Sequence, residues 1–131
     1  MIAVLQRVYN AAVYADGDPS GKIKEGLYIL LGAIKNDTSE DAVVLAEKIS
    51  KCRIFSDENG KMNLSVKDID GEALVVSNFT LGANYSHGNR PDYFNSAEPK
   101  IANELYLLFI DELAKRVCSF YLEDEAFTPG T

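Results

Sequence analysis

Two hydroxyl groups and one amide stand together at the end of an apolar stretch, in the run Ser77-Asn78-Phe79-Thr80-Leu81. If the run continues a strand, alternation places Ser77, Phe79 and Leu81 on one face and Asn78 and Thr80 on the other. Such groups can hold a polar substrate through hydrogen bonds, and a hydroxyl can act as a nucleophile. On the residues alone, polar groups that cap a turn at a strand end are the simpler interpretation.

A hydroxyl nucleophile normally needs a base, and the chain has a single histidine, His87, in the polar stretch 82–95. We interpret His87 as a solvated surface side chain. The two cysteines, Cys52 and Cys118, have neither metal-ligand spacing nor the pattern of a disulfide framework. The chain also lacks a phosphate loop, a dinucleotide fingerprint and a nucleophile elbow. The residues therefore argue against a multi-histidine metal site and against base-assisted nucleophilic catalysis of a familiar kind.

The elements that must position this run are predicted from periodicity and turn signals. Apolar alternation and apolar runs predict strands at 1–8, 11–16, 27–33, 53–56, 61–66, 73–81 and 118–122, the second being the hairpin partner of the first. A turn cluster is predicted at 16–21, and an Asn-Gly hairpin turn at 57–60. The first helix follows a cap at Asp37 or Thr38, and its apolar spacing predicts an inner face at 42, 45, 46 and 49. The second begins near Ser96 with Pro99 in its first turn, and its predicted inner face is at 102, 105, 108, 109 and 113. We expect an α+β fold with a largely antiparallel sheet or barrel and two helices.

Length and composition limit the class of protein further. With 131 residues, 47% of them hydrophobic, we expect residues 1–131 to form a single domain. The longest apolar runs are far shorter than the roughly 20 residues that span a bilayer. The first residues lack the basic and apolar segments of a secretion signal. We therefore expect a cytoplasmic protein with reduced thiols and no membrane partner.

The charge is uneven along the chain, whose net value is −7. Residues 1–67 hold nine basic and nine acidic side chains, whereas 68–131 hold four basic and eleven acidic ones. This composition argues against a nonspecific nucleic-acid binder, and we expect no DNA partner. A specific RNA partner is compatible with it if the balanced half supplies the contact surface. A solvated surface of mixed charge is the simpler interpretation of composition alone.

Four separate motifs resemble one known family. They are AVLQRV at 3–8, GKMNLS at 60–65, SNFTL at 77–81 and GNRP at 88–91. In this order they are similar to the D-aminoacyl-tRNA deacylases, also called D-tyrosyl-tRNA deacylases. The resemblance implies a compact, barrel-like α+β subunit, a homodimer with active sites near its interface, and no metal or organic cofactor. It implies hydrolysis of the ester between a D-amino acid and tRNA, with glycine as a further substrate in some members.

The resemblance also implies roles for particular residues. Thr80 matches a threonine proposed as the nucleophile, whereas a second mechanism assigns catalysis to the 2′-hydroxyl of the RNA. Because the motif contains no histidine, we favour a positioning role in which backbone N–H groups near Phe79 and Thr80 steady the oxyanion. Ser77 joins Thr80 as a catalytic residue, Asn78 and Phe79 line the substrate pocket, and Arg7 supports its wall.

Two departures from the family affect substrate selection. Asn78 replaces a glutamine, which shortens the reach of the amide by about one methylene. At the position of a Gly-Pro-Val-Thr element that rejects L-amino acids, this chain has Ala126 and Phe127 within Glu125-Ala126-Phe127-Thr128. A cis peptide without proline costs about 3 kcal/mol, so we expect a trans bond between Glu125 and Ala126 and weaker chiral discrimination.

Two other functions are compatible with the sequence. The first is that of a non-catalytic relative that keeps the dimer and binds RNA or an aminoacyl group. The second is plain structural dimerisation.

Overall fold

The chain folds into strands and two described helices in the computed structural model, which describes residues 1–15, 17–78, 81, 96–117 and 119–122. The side chains of 15, 18–20 and 119–122 are not described. The strands are β1 (Ile2–Val8), β2 (Ala11–Ala15), β3 (Asp18–Ile23), β4 (Gly26–Gly32), β5 (Phe55–Ser56), β6 (Met62–Leu64), β7 (Glu72–Ser77) and β8 (Ser119–Leu122). The helices are α1 (Ser39–Ser50) and α2 (Pro99–Ala114). No described helix is long and apolar enough to cross a membrane.

A four-stranded sheet in the order β1-β4-β7-β8 is the centre of the fold. β1 runs antiparallel to β4, whereas β4–β7 and β7–β8 are parallel. The chain returns to the sheet through α1 before β7 and through α2 before β8, and such crossovers make neighbouring strands parallel. The predicted α+β class is confirmed. Three of the five pairings between described strands are antiparallel, but this sheet is mixed rather than largely antiparallel.

The apolar runs of β4 and β7 become the two inner strands of this sheet. In β4, Leu27, Ile29 and Leu31 are buried, and in β7 Ala73, Leu74 and Val75 are fully buried. Strands covered on both faces read as continuous apolar runs, as predicted for 27–33. Their side chains share one core with the inner faces of both helices.

The first hairpin differs from the prediction. β2 pairs with β3, with Ala11 opposite Ile23, and not with β1. The predicted turn cluster 16–21 is therefore mostly strand, since β3 begins at Asp18 and only the short connection around Gly17 turns, with φ at +86°. β3 also packs against β7 and β8, so the hairpin folds back over the sheet in a barrel-like arrangement.

Helix α1 begins after Thr38, one of the two predicted caps. The Thr38 backbone N–H donates to Asp41 Oδ2 at 2.8 Å, and this hydrogen bond lowers the pKa of the Asp41 carboxyl. A carboxylate here also suits the positive end of the helix dipole. The predicted inner face is confirmed: Ala42, Ala46 and Ile49 are buried and Leu45 is half-buried against the core.

Helix α2 begins at Pro99. Proline lacks a backbone N–H, and this costs nothing in the first turn because N–H groups there have no acceptor within the helix. Its buried face is wider than predicted. The predicted Ala102, Leu105, Phe109 and Leu113 are buried, and the predicted Leu108 is half-buried against the core. The side chains of Tyr106 and Ile110 are buried as well. The helix contacts α1 as well as the sheet core, which requires apolar residues over a broader arc.

The Asn-Gly hairpin forms as predicted between β5 and β6. Asp57 Oδ1 accepts hydrogen bonds from the backbone N–H groups of Asn59 and Lys61 at 2.9 and 3.0 Å. Gly60 adopts φ of +76°, a conformation that favours glycine. The hairpin leads into the turn 65–68, and the Gly71 N–H then donates to the Val66 carbonyl at 2.9 Å before β7 starts.

Candidate active site

Ser77 is the last residue of β7, where the buried strand reaches the edge of the core. The three fully buried residues 73–75 are followed by half-buried Val76, Ser77 and Asn78. Ser77 pairs with Leu31 of β4, and the Asn78 N–H donates to the Leu31 carbonyl at 2.8 Å. The hydroxyl and the amide predicted to hold substrate therefore stand at the rim of the core, not inside it.

The end of β4 fixes the backbone on both sides of the segment that contains the candidate site. The Leu81 N–H donates to the Asn78 carbonyl at 3.4 Å, and the Ala97 N–H donates to the Ala33 carbonyl at 3.2 Å. A single β-bridge joins Ile34 to Ser96. The chain enters and leaves the stretch between 78 and 96 against the same few residues of β4 and its continuation.

Gly32 lets these backbones approach closely. A Cβ atom at Gly32 would lie 2.9 Å from the Asn78 carbonyl oxygen and 2.9 Å from Leu81 Cβ. Both distances are shorter than ordinary van der Waals contact. The sequence analysis missed Gly32, although a glycine at the end of an otherwise apolar strand is a recognised sign of close backbone approach.

A second missed residue, Asp37, supports the same end of the sheet. Its carboxylate lies 2.9 Å from the α-ammonium group of Met1, and both side chains are largely buried. Asp37 Oδ2 also accepts the Ile34 N–H at 2.6 Å. These contacts tie the start of β1 to the segment that follows β4.

Tyr106 holds helix α2 against the strand that carries Ser77. Its hydroxyl donates to the carbonyl of Val75, two residues before Ser77, at 2.8 Å in a buried contact. Its phenol ring is 3% exposed, so the bond forms away from water. Sequence periodicity placed other residues of α2 on the inner face and did not include this one.

Arg7 lies far from Ser77 within the chain. Ser77 aligns with Leu31 and, across it, with Ala3, whereas Arg7 pairs with Leu27. The offset of four residues corresponds to roughly 13 Å along the strands. The Arg7 guanidinium donates to the Ile54 carbonyl at 3.0 Å.

The surroundings of Arg7 form a separate cleft of about 450 Å³, whose other lining residues include Tyr9, Glu25, Phe55 and Ser56. Ser77 and Asn78 do not line it. Within the described chain the structure thus places Ser77 and Asn78 together but does not bring Arg7 to them. The predicted residues Phe79, Thr80, Ala126 and Phe127 lie outside the described residues.

Electrostatics of the described part place no perturbed acid or base beside Ser77. The described carboxyl groups with a lowered pKa lie in turns and on helix surfaces; they are those of Asp41, Glu47, Asp68 and Glu112. In each case the first cause is a hydrogen bond, from the backbone of Thr38 or Ser65 or from the side chain of Lys51 or Arg116. No cluster of three or more potential metal ligands occurs among the residues that the structure describes.

The described part of the site therefore consists of backbone, a hydroxyl and an amide at the end of a buried strand. A hydroxyl and an amide can bind and orient a polar group through hydrogen bonds.

Comparison with known proteins identifies the family. A family model described as D-Tyr-tRNA(Tyr) deacylase matches residues 4–128. The D-aminoacyl-tRNA deacylase of Persephonella marina is 53% identical over 117 residues, covering 89% of this chain and 80% of that protein. The corresponding protein of Thermosipho africanus is 55% identical over 111 residues, covering 85% and 74%.

Solved structures share the fold of this chain. The structure of the c-Myc DNA Unwinding Element Binding Protein superposes with a TM-score of 0.82 at 33% identity, over 92% of this chain and 84% of the other. A structure described as a probable eukaryotic D-amino acid tRNA deacylase has a TM-score of 0.71 at 14% identity, over 87% and 67%, and supports the fold alone. The fold expected from the sequence motifs is confirmed, and the chain belongs to the D-Tyr-tRNA(Tyr) deacylase family.

Proposed function

We propose that this protein hydrolyses the ester bond between a D-amino acid and the terminal adenosine of tRNA, releasing the free D-amino acid and the tRNA. The observation that carries the proposal is the family match over residues 4–128. The similarity to proteins named D-aminoacyl-tRNA deacylase, at 53 and 55% identity, supports the same substrate class. The comparisons favour this enzyme over the non-catalytic binder. We place the reaction in the cytoplasm, where aminoacyl-tRNA is used.

Hydrolysis forms a bond between a water oxygen and the ester carbonyl carbon and breaks the bond from that carbon to the ribose oxygen, which takes a proton. The carbonyl oxygen gains negative charge on the way, and N–H donors aimed at it lower the barrier. We assign this stabilisation to backbone N–H groups near Phe79 and Thr80. The hydroxyl of Ser77, at the rim of the core, and the amide of Asn78 orient the aminoacyl group.

The source of nucleophilic assistance distinguishes two mechanisms. Either the Thr80 hydroxyl attacks, or the protein positions the ester and the 2′-hydroxyl of the RNA assists water. We favour positioning because the chain has one histidine, His87, outside the motif. The charged pair at this end of the sheet, Met1 and Asp37, is already bound to itself at 2.9 Å.

The two mechanisms predict opposite results for two substitutions. Thr80→Val keeps the side-chain shape and removes the hydroxyl, whereas a tRNA that ends in 2′-deoxyadenosine removes the RNA hydroxyl. Positioning predicts that Thr80→Val retains measurable turnover and that the deoxy substrate is not cleaved above the buffer rate. Turnover of the deoxy substrate at the normal rate, with an inactive Thr80→Val protein, would assign attack to Thr80.

We propose that the working form is a homodimer. β1 is an edge strand of the central sheet. Three large apolar residues are exposed there: Val4 on β1 (47% exposed), Tyr9 directly after it (86%) and Tyr14 on β2 (65%). An exposed edge with apolar side chains is usually covered in the native assembly. Since Arg7 and Ser77 are far apart within one chain, Arg7 can support the pocket of Ser77 only from the second protomer.

Mixed dimers test this arrangement. Arg7→Ala and Ser77→Ala proteins are each expected to lose most activity when pure. If Arg7 acts across the interface, unfolding and refolding the two together restores activity to about a quarter of the wild-type level, because half of the dimers hold one intact site. If Arg7 and Ser77 act within one protomer, every pocket in the mixture lacks one of the two side chains, and activity stays at the level of the pure variants.

Selection between enantiomers is expected to be weaker than is usual in the family. We propose that the sequence Glu125-Ala126-Phe127-Thr128, in which Ala126 and Phe127 match the Pro-Val of the family's Gly-Pro-Val-Thr element, selects less strictly, and that the shorter Asn78 holds the amino acid less firmly. Purified protein is expected to release D-Tyr from D-Tyr-tRNA, to act on Gly-tRNA, and to cleave L-Tyr-tRNA measurably. Absence of release from D-Tyr-tRNA above the buffer rate, with folded enzyme in excess, would reject the function. Strict rejection of L-Tyr-tRNA would reject only the weakened selection.

A further inference from the structure

A groove of about 410 Å³ lies between the ends of both helices and the turn at 65–68. Four cationic side chains line it: Lys51, Arg53, Lys67 and Arg116. Two carboxylates, Glu47 and Asp68, share the lining. An excess of positive charge in one groove is notable because the whole chain carries −7. Concave surfaces lined by one sign of charge raise the local concentration of the opposite charge.

Among the described residues, Arg53 and Lys67 form no ion pair. Within the part of the chain that the structure describes, the Arg53 guanidinium donates to the neutral amide oxygen of Asn63 at 3.0 Å. The charges of both Arg53 and Lys67 reach Asp68, where they add to the Ser65 hydrogen bonds that lower the pKa of the carboxyl. The two cations therefore converge on the same part of the groove.

The Asp68 carboxylate is turned towards its own backbone. Asp68 Oδ2 accepts the Ser65 N–H at 2.9 Å, and the Ser65 hydroxyl accepts the Asp68 N–H at 3.2 Å. This reciprocal pair closes the turn 65–68. The carboxylate consequently has an acceptor role in the turn, and among the described residues it forms no ion pair with Arg53 or Lys67.

The other two cations have partners that still leave donors. Lys51 pairs with Glu47 at 2.9 Å, but both side chains are well exposed, and such pairs contribute little. Arg116 uses Nη1 for both the carbonyl and the carboxylate of Glu112, at 2.7 and 3.0 Å. A guanidinium has five N–H donors, so most of those on Arg116 remain.

We infer that this groove binds the sugar-phosphate backbone of the tRNA, away from the ester. The inference rests on the proposed function, which brings a polyanion to a chain that is acidic as a whole. Lysine and arginine side chains are the usual partners of phosphate oxygens, and such contacts fix the register of the nucleic acid without reading its sequence.

The position of the groove suits this role. The turn 65–68 lies at the amino end of β7, since the Gly71 N–H donates to the Val66 carbonyl at 2.9 Å, and Ser77 lies at the carboxyl end. The six residues of β7 span roughly 20 Å at about 3.3 Å each. Several nucleotides of an RNA strand are needed to cover this length. The groove therefore contacts the acceptor stem while the terminal adenosine lies at Ser77.

The test compares the double variant Arg53→Gln/Lys67→Gln with Lys61→Gln, an exposed lysine of the β5–β6 hairpin outside the groove. Glutamine removes the charge and keeps an unbranched side chain with an N–H donor, and the hairpin turn is held by Asp57, so the hairpin is expected to fold. For D-Tyr-tRNA at low salt, we expect the double variant to raise KM about tenfold with kcat unchanged. The slope of log KM against log salt is expected to fall by about 1.4–1.8, the value for two lost phosphate contacts.

A substrate without the stem separates this inference from the proposed function. D-tyrosyl-adenosine reaches the site but not the groove, and we expect all three proteins to cleave it equally. If the double variant and Lys61→Gln have the same KM and the same salt slope for D-Tyr-tRNA, the inference is wrong. A groove that binds an acidic peptide instead of tRNA would give this result. If wild-type protein cleaves neither substrate, the proposed function fails. The Kd of uncharged tRNA then tests the groove separately: a higher Kd for the double variant than for Lys61→Gln supports the inference, and equal Kd values refute it.

Discussion

Gly32→Ala is the sharpest test of whether the end of β4 positions the candidate site. The new methyl group would lie 2.9 Å from the Asn78 carbonyl oxygen and from Leu81 Cβ, about half an ångström inside ordinary contact. The Asn78 backbone cannot move freely, because its N–H is held by the Leu31 carbonyl at 2.8 Å. The strain therefore displaces the segment that begins at Asn78.

The size of the effect follows from this displacement. Crowding of a well-packed site costs about 1–3 kcal/mol of unfolding free energy. Misplacement of a reacting group by about 1 Å can cost roughly 100-fold in rate, so a shift of half that size is expected to lower kcat about tenfold. KM for D-Tyr-tRNA should change little, since the groove at the other end of β7 is untouched. Single-turnover release of D-Tyr and urea unfolding measure the two effects.

Gly71→Ala is the matched control. A Cβ at Gly71 would lie 3.0–3.2 Å from Val66 Cγ2, Ile69 Cδ1 and the Glu25 carbonyl oxygen, at the opposite end of the sheet from Ser77. We expect it to lower the unfolding free energy similarly and to leave kcat unchanged. If Gly32→Ala and Gly71→Ala lose equal stability and both retain wild-type kcat, the end of β4 does not position the reaction.

Three further substitutions test other contacts. Tyr106→Phe leaves a buried carbonyl of β7 without its hydroxyl donor, so urea unfolding should show a loss of about 1–2 kcal/mol. Asp37→Asn breaks the largely buried pair with the Met1 ammonium group and is expected to cost about 3 kcal/mol; an unchanged urea midpoint would contradict it. The hydrogen bond from the Ser65 N–H lowers the pKa of the Asp68 carboxyl. The stabilisation that this bond gives to the folded state is therefore present at neutral pH and is lost as the pH falls through the lowered pKa. Asp68→Asn should therefore be less stable than wild type at pH 7, with the difference closing below about pH 4; a difference that persists in acid would refute this.

Local signals in the sequence were sufficient for the helices and the second hairpin. The cap at Thr38, the apolar spacing of α1 and the Asn-Gly turn before β6 act within a few residues of themselves. Local signals do not choose between distant partners. The strand at 11–15 has apolar alternation compatible with either neighbour; it pairs with β3, and the outer edge of β1 has no partner among the described strands. The parallel pairings likewise follow from the helical crossovers, which no short window of sequence contains.

The same distinction applies to the candidate site. The hydroxyls and amide of 77–81 are visible as a polar run that ends an apolar strand, and the structure places Ser77 and Asn78 at the rim as that pattern suggested. Gly32 becomes part of the site only through the register that sets Leu31 opposite Ser77. Arg7 shows the converse: a sequence match proposes a site residue, whereas the register moves it about 13 Å along the sheet from Ser77.

Strand β7 links the two proposed contacts with the substrate. Its buried middle, 73–75, is rigid, the candidate site lies at its carboxyl end, and the cationic groove lies beyond its amino end. A rigid spacer makes the two contacts energetically separable, because neither end can relax the other. Losses at the groove should then appear in KM and its salt dependence, and losses at Gly32 should appear in kcat. Combining Gly32→Ala with the groove variant should multiply the two effects, since sites this far apart are normally additive in free energy. A combined loss clearly smaller than the product would show that phosphate binding and ester positioning are one event.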